Sequence, residues 1–496
     1  VRHGEVDALL AVAGPHAVEV HGPTLWAGQE CEEANAEAGA ATGRLTGQHE
    51  LSAGETACWV MTWARSFVPM PQPGDPEELL AETLAFWNAW AERVAPDPGE
   101  RREHAAEVMR SLLVLRALTD SRTGGIVAAP TTSLPEEFGG SRNWDYRYTW
   151  LRDAAFTIEA MIAHGYPEGA EVWRDWLLRA IAGEPNQLQI MYGLGGEKHL
   201  PERELAGLSG YADSLPVRIG NAAAEQYQAD VAGEVMLALA QLREARGYDA
   251  EYSWRMQRNL IEYCIENIER PDNGIWEMRG EPQHFTHGRV MMWAAFDQGI
   301  KAVERYGLPG PVEEWRACRA RLHDEIWAHG FDRELNTFTQ AYGGTEVDAS
   351  LLQLPQTGFV GYDDPAMLGT VAAIERDLSG PGGLLRRYRT ETDVDGLPGD
   401  EYAFLICSFW LVEQHAMTGR RADAEALMAR LVACANDVGL LAEEYDVTGG
   451  RLAGNYPQAF SHLGLIRAAD ALDGLLQPVP GSRPLRLPAA PDAGDA

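Results

Sequence analysis

The stretch GIWEMRGEPQHFTHGRVMMW, residues 274 to 293, sets one carboxylate, Glu277, directly after an indole, Trp276, and two residues before Arg279. A carboxyl held against an indole, at the entrance to an apolar segment, loses hydration. That disfavours its charged form and raises its pKa, as a general acid requires near neutral pH. A second source of carboxylate lies far away in the chain. LLAEEYDVTGGRLAGNYPQAFSHLGLI offers Glu443 and Glu444 ahead of an aromatic residue, a glycine-rich turn and a helix expected to begin near Pro457. Two carboxyl groups across one pocket, one protonated and one ionised, meet the requirement for cleaving a glycosidic bond. A third segment, GGSRNWDYRYTWLRDAAFTI, packs Arg142, Trp144, Asp145, Tyr146, Arg147, Tyr148, Trp150, Arg152 and Asp153 into a dozen residues before a helix. Tyr and Trp present faces to the C–H surfaces of sugars, while Arg and Asp supply forked donors and acceptors for hydroxyls. Taken singly, each segment has a plain structural reading: a helix-end Glu, a capping Glu, a salt-bridged interhelix loop.

These loops need elements to position them. Up to Ser66 the chain reads as strands: LLAVAG, VEV and CWVMTW are short runs rich in β-formers. PMPQPG follows as a stiff linker. Asp75-Pro76-Glu77-Glu78 then opens a helix, with Asp as N-cap, Pro at the first helical position and acids in the first turn. From there about a dozen segments repeat apolar residues at helical spacing, from LLAETLAFWNAW through VMMWAAFDQGI and WRACRARLHDEIW to SHLGLIRAADAL. Some, such as YAFLICSFWLV, are apolar all round; others carry one stripe. Buried and half-exposed helices in alternation are what a double ring needs. The expected fold is mainly α, an (α/α)6 toroid preceded by a small or truncated β-sandwich region. The boundaries read are 1–68 for the partial sandwich, 69–75 for the linker, 76–475 for the catalytic toroid and 476–496 for a disordered Pro/Ala-rich tail.

Composition limits the partners. The net charge of −33 excludes nucleic acid, whose phosphates need Lys and Arg, and anionic membrane surfaces. No segment has the length and apolarity of a membrane span, and VRHGEVDALLAVAG lacks a signal-peptide pattern. None of the six cysteines sits in a CxxC pair. The expected setting is a reduced cytoplasm and the expected partner a small neutral ligand; nothing marks an oligomeric state. His284 and His287, with Glu281 nearby, lack HExxH spacing and read as loop-orienting residues, not metal ligands. GLGGEK, from Gly193, lacks P-loop spacing and reads as a turn. Arg218 and Asn221 read as further sugar contacts.

NWDYRYTWLRDA, GIWEMRGEPQHFTH and LAEEYD…GNYPQAFSHLGLI together resemble glycoside hydrolase family 15, the glucoamylase and bacterial trehalase family. TGGIVAAPTTSLPEEFGG and DGLPGDEYAFLICSFWLVE match as well, and the likeness runs in family order from about Glu77 to Leu475. The resemblance implies that Glu277 is the general acid and Glu443 the general base that activates water. It implies that Arg152 and Asp153 grip the terminal glucose, and that Tyr146, Trp150 and Trp276 line its subsite. Arg279 and Glu444 flank the two acids as binding candidates. Arg387 matches an arginine near the cleavage point, with Arg386 and Arg389 close enough to compete for that place. No cofactor is implied. The family inverts the anomeric centre, so a carboxyl separation of roughly 6.5–9.5 Å is expected. The substrate implied is trehalose or a short α-gluco-oligosaccharide. A toroidal disaccharide phosphorylase and a non-catalytic sugar-binding protein are the alternatives. Fungal-type members carry a second acid directly after the catalytic one; here Met278 and Arg279 follow, which bears on the leaving group.

Overall fold

The computed structural model describes residues 4–27, 45–46, 49–94, 102–181, 188–247, 250–392 and 394–476; the expected tail lies outside these from residue 477 onward. The chain divides into two compact units, Val1–Glu92 and Arg93–Ala496.

In the first unit an antiparallel sheet forms from β1 (Gly4–Ala13), β2 (His16–Ala27), β3 (Leu45–Thr46) and β4 (Val60–Arg65). β2 is central, paired with β1 along most of its length, with β4 along its first half and with β3 at its end. The sheet leaves Leu10, Val12, Met61 and Trp63 exposed. The helix α1 (Pro76–Val94) also belongs mainly to this unit. Its start follows the sequence signal: Asp75 Oδ1 accepts the backbone N–H groups of Glu77 and Glu78 at 2.9 and 3.1 Å.

The second unit is a toroid. Its inner ring consists of α3 (Leu151–Ala163), α5 (Val231–Arg246), α7 (Thr286–Tyr306), a 3-10 helix (Ala349–Thr357), α10 (Leu405–Met417) and α12 (Ala459–Leu472). Each packs on the next, and α12 returns to α3, closing a six-membered ring. Outside it lie α2 (Ala105–Ala117), α4 (Pro167–Ala180), α6 (Glu251–Glu266), α8 (Val312–His329), α9 (Pro365–Leu378) and α11 (Arg421–Val432), each against an inner neighbour. Burial follows the sequence pattern. α10 is buried from Leu405 to His415, whereas α8 buries one stripe, Trp315, Leu322 and Ile326. The twelve helical segments expected from periodicity all form helices. One of them, α1, sorts with the first unit, and the 3-10 helix takes the twelfth place in the double ring. That helix carries Pro355, which lacks an N–H, and is nine residues long, so periodicity alone gave it no signal. Among the described residues no helix is long and apolar enough to cross a membrane.

Short strands pair β5 (Thr149–Trp150) with β6 (Met191–Tyr192), β7 (Arg203–Glu204) with β8 (Arg218–Ile219), β9 (Phe331–Asp332) with β10 (Thr337–Phe338), and β11 (Ala403–Phe404) with β12 (Glu444–Asp446), which also pairs with β13 (Arg451–Ala453). The β5–β6 and β11–β12–β13 groups stand at the N-terminal ends of inner helices. They fix the loops that carry the chemistry.

Candidate active site

The loops entering α3, α7, α10 and α12 converge on one pocket of about 670 Å³. Tyr146, Trp150, Arg152, Asp153, Trp276, Glu277, Arg279, Arg387 and Glu443 all line it. Segments far apart in the chain thus meet because each opens, or lies in the loop that leads into, an inner helix. The positive ends of those helix dipoles face the pocket.

Glu277 sits in a tight loop and has φ +60°, rare for a residue with a side chain. The surroundings hold it there. Its N–H donates to Gly274 O at 3.1 Å, Asn273 Nδ2 donates to Met278 O at 2.9 Å, and Gln226 Nε2 reaches the carbonyls of Glu277 and Met278, each at 3.1 Å. Such a conformation costs of order 1–3 kcal/mol and persists only where packing imposes it. Gly274 has φ +69° and lies against Phe285, whose ring a Cβ would meet at 2.9 Å. The carboxylate points into the pocket. Trp150 Nε1–H donates to Glu277 Oε1 at 2.5 Å, and Arg152 Nη2 lies 3.8 Å from the same oxygen. Burial raises the Glu277 pKa, opposed by Arg152 and by the Trp150 hydrogen bond. The indole in contact with the acid is therefore Trp150, 127 positions away. Trp276 instead packs on Phe404 and Trp410, with ring centroids 5.7 and 5.9 Å apart. Met278 is buried and does not line the pocket, so Arg279 is the residue that reaches its mouth. There it lies 4.3 Å from the Trp144 ring centre and pairs with Glu202 at 2.8 Å.

Glu443 directly precedes β12. Its N–H donates to Asn455 O at 3.2 Å and its carbonyl accepts from Leu405 N–H at 3.1 Å, pinning it between the starts of α10 and α12. Tyr146 O–H donates to Glu443 Oε1 at 2.6 Å, while Oε2 has no partner. Gly454, at φ +76°, passes so close that a Cβ there would lie 2.8 Å from that Oε2. Burial drives the Glu443 pKa well up and Glu136 adds to it, while Arg387 and the Tyr146 hydroxyl oppose the rise. The partners of the two acids touch: the Tyr146 and Trp150 rings lie 5.5 Å apart, edge to face. A continuous path, Glu277–Trp150–Tyr146–Glu443, crosses the pocket.

Successive strand residues face opposite ways, and Glu444 turns from the pocket. It is buried, accepts from Tyr402 N–H at 2.9 Å and lies in a group with Glu136 and Glu401. Among the described residues this trio is the one set of metal-ligand types close enough to share an ion. A cation is already there: Arg387 binds Glu401 and holds Glu136 at 3.1 Å. Arg387 is the arginine of its run that lines the pocket, since Arg386 pairs with Glu391 and Arg389 with Glu346. Arg142 stands behind it, 2.8 Å from Asp395.

Arg152 is buried and bonds Ile275 O at 2.7 Å and Asp153 at 3.2 Å. Burial pushes Asp153 up to about 6 against the pull of Arg152. Asn221 lines the pocket and caps a short 3-10 turn; Arg218 stacks on Trp144 from 4.7 Å. His284 packs on Tyr342, and His287 is buried beneath Arg152 and held neutral, its pKa lowered by burial to about 3. GLGGEK forms a turn closed by Gly193 N–H to Glu197 O at 2.8 Å. Sequence reasoning did not single out Glu136, Phe404, Gln458 or Phe460, which also line the pocket. The motif SLPEEFGG contained Glu136, but its pocket role depends on a salt bridge to residue 387 that local sequence does not reveal.

A ring of six inner helices, with a buried and a half-buried acid facing a pocket of aromatic and guanidinium groups, defines a carbohydrate-site architecture. The family model for Glycosyl hydrolases family 15 matches residues 102–470, and the chain belongs to that family. It is 40% identical to a trehalase of Mycolicibacterium smegmatis over 84% of its own length and 62% of that protein. It is likewise 40% identical to a trehalase of Thermoplasma acidophilum, over 79% of this chain and 66% of the relative. The chain thus spans somewhat less than two thirds of either. A bacterial glucoamylase solved in complex with acarbose shares the fold, with a TM-score of 0.70 over 94% of this chain and 73% of that one, at 13% identity.

Proposed function

We propose that the protein is an inverting, exo-acting α-glucoside hydrolase whose substrate is trehalose. The observation that carries this reading is the pair Glu277 and Glu443 on one pocket, each bonded to its own aromatic donor. The toroid from Ala105 to Leu472 is the catalytic domain in this reading. A terminal glucose enters the pocket; Arg152 and Asp153 hold its hydroxyls, and Tyr146, Trp150 and Trp276 face its ring. Glu277 donates its proton to the glycosidic oxygen as the C1–O bond breaks. Glu443, ionised, takes a proton from water as the water oxygen bonds to C1 from the opposite side. Arg387 offsets the charge around Glu443. Arg279 and Trp144, at the mouth, meet the leaving sugar. Names of relatives support trehalose as that substrate. The free thiols of Cys264, Cys318, Cys407 and Cys434 support a cytoplasmic setting.

The test is incubation with trehalose, maltose and isomaltose, each with and without phosphate. Glucose release from trehalose without phosphate supports the proposal. Sugar phosphate as the product would make the protein a phosphorylase, and binding without turnover of any of the three would make it a sugar-binding protein.

A further inference from the structure

The inner helices bring their N-terminal ends to the catalytic pocket. The C-terminal halves of several of them line a second pocket, of about 690 Å³. Glu159 and Ala163 of α3, Gln241 of α5, Gln356 of the 3-10 helix and Arg467 of α12 face it, together with Gln353. The two pockets share a wall of rings. Trp410 lines the second pocket and packs 5.9 Å from Trp276 of the first; Phe156 of the second lies 6.1 Å from Phe460 of the first.

The lining chemistry is specific. Gln353 is fully buried, and neither its amide oxygen nor its amide nitrogen has a partner. A buried amide left unsatisfied is costly, and a ligand hydroxyl, both donor and acceptor, satisfies both ends. Gln241 bonds Glu159, and Gln356 donates to Glu413 at 3.2 Å; each amide keeps further capacity. Arg467 is the one cationic side chain in the lining, and Glu413 already occupies it through contacts of 2.6 and 3.0 Å. An anion would therefore find no free cation and would face Glu159 and Asp470. Burial pushes Glu159 up to about 7, which weakens its pull on a cation. What remains is a set of amides, two acids and aromatic faces, which suits hydroxyls and C–H surfaces.

We infer that this second pocket binds a neutral polyhydroxylated ring of monosaccharide size, distinct from the sugar bound between Glu277 and Glu443. Occupancy bears on Trp410, and through it on Trp276 of the catalytic pocket.

Glucose titrated calorimetrically into the full chain tests this. The wild type is expected to bind two equivalents, with Gln353→Met and Asp153→Asn each binding one. Gln241→Met, at a half-buried position, serves as the second variant should Gln353→Met fail to fold by circular dichroism. A single wild-type equivalent that Asp153→Asn abolishes overturns the inference, as does a second equivalent that survives both glutamine variants. The Asp153 arm rests on the function proposed above and the glutamine arms do not. Loss of one equivalent in the glutamine variants with none in Asp153→Asn therefore supports the second site and counts against the proposed role of Asp153 in gripping glucose.

Discussion

At the scale of single residues, the account turns on two carboxyls whose hydrogen-bond donors differ. Replacing either acid by Gln keeps its shape and removes its proton chemistry. Glu277→Gln and Glu443→Gln are each expected to lower kcat by roughly 10²–10⁴-fold with a much smaller change in KM, measured by steady-state kinetics. The pH dependence follows from the directions of the shifts. Glu443 must be ionised and Glu277 protonated for the chemistry to proceed. Burial raises both and drives Glu443 the further, so in the free enzyme the required ionisation is the minority one: Glu277 titrates on the acidic limb of the rate profile and Glu443 on the alkaline limb, both above the ordinary carboxylate range. The Trp150 and Tyr146 hydrogen bonds stabilise the charged forms, so removing them raises the pKa further. Trp150→Phe is expected to move the acidic limb up and Tyr146→Phe to move the alkaline limb up, each leaving the other limb in place. A kcat/KM profile across pH separates them. Glu277 was legible as a candidate acid from its indole neighbour, although the indole that contacts it is Trp150. The choice between Glu443 and Glu444 was not legible from burial or composition. The pleat of β12 decides it by sending adjacent side chains to opposite faces.

At the scale of elements, the catalytic geometry depends on tight turns ahead of the inner helices. β12 and β13 pair Glu444 with Ala453 and Tyr445 with Leu452, which brings Gly454 against Glu443. Gly454→Ala puts a methyl group 2.8 Å from the Glu443 carboxyl in a backbone conformation that disfavours alanine. The expected result is a fall in kcat of about 10²-fold, the order associated with ångström-scale misplacement, with glucose still bound. Activity close to wild type would show that the loop relaxes and that the turn does not position the base. Helices were the most legible elements because their apolar spacing repeats over ten or more residues. Asp75-Pro76 also marked the start of α1 to the residue. The sixth inner helix was hidden because Ala349–Thr357 is short, 3-10 in geometry and contains Pro355. The strands near the site were hidden because they are two or three residues long, too short for a period of two to show.

At the scale of the whole molecule, the toroid buries many acids around its axis in a chain of net charge −33. Burial pushes Asp153 and Asp230 up to about 6, and Glu136, Glu159 and Asp272 up to about 7. A carboxyl raised in the folded state contributes stability that is fully present below its unfolded pKa, near 4, and lost as pH rises through its folded value. His287 and His462, lowered by burial to about 3, act the other way: their contribution is lost as pH falls below about 6.5. Five acids outweigh two histidines, so Tm is expected to be higher near pH ~5.5 than near pH ~8, as a thermal melt at matched ionic strength would show. The ring closure itself was legible in outline, from the alternation of all-round and striped helices. The meeting of residues 152, 277 and 443 at one mouth was expected through the family resemblance; spacing alone does not show it, because it requires the inner helices to run the same way around the axis. The central claim is that water attacks C1 once, opposite the leaving oxygen, with Glu277 and Glu443 on either side. Proton NMR of trehalose hydrolysis, read before the anomers equilibrate, tests it most directly. A single inverting displacement releases one β-glucose from the attacked ring and one α-glucose as the leaving group, so equal amounts of the two are predicted; α-glucose alone would mean retention and would contradict the account.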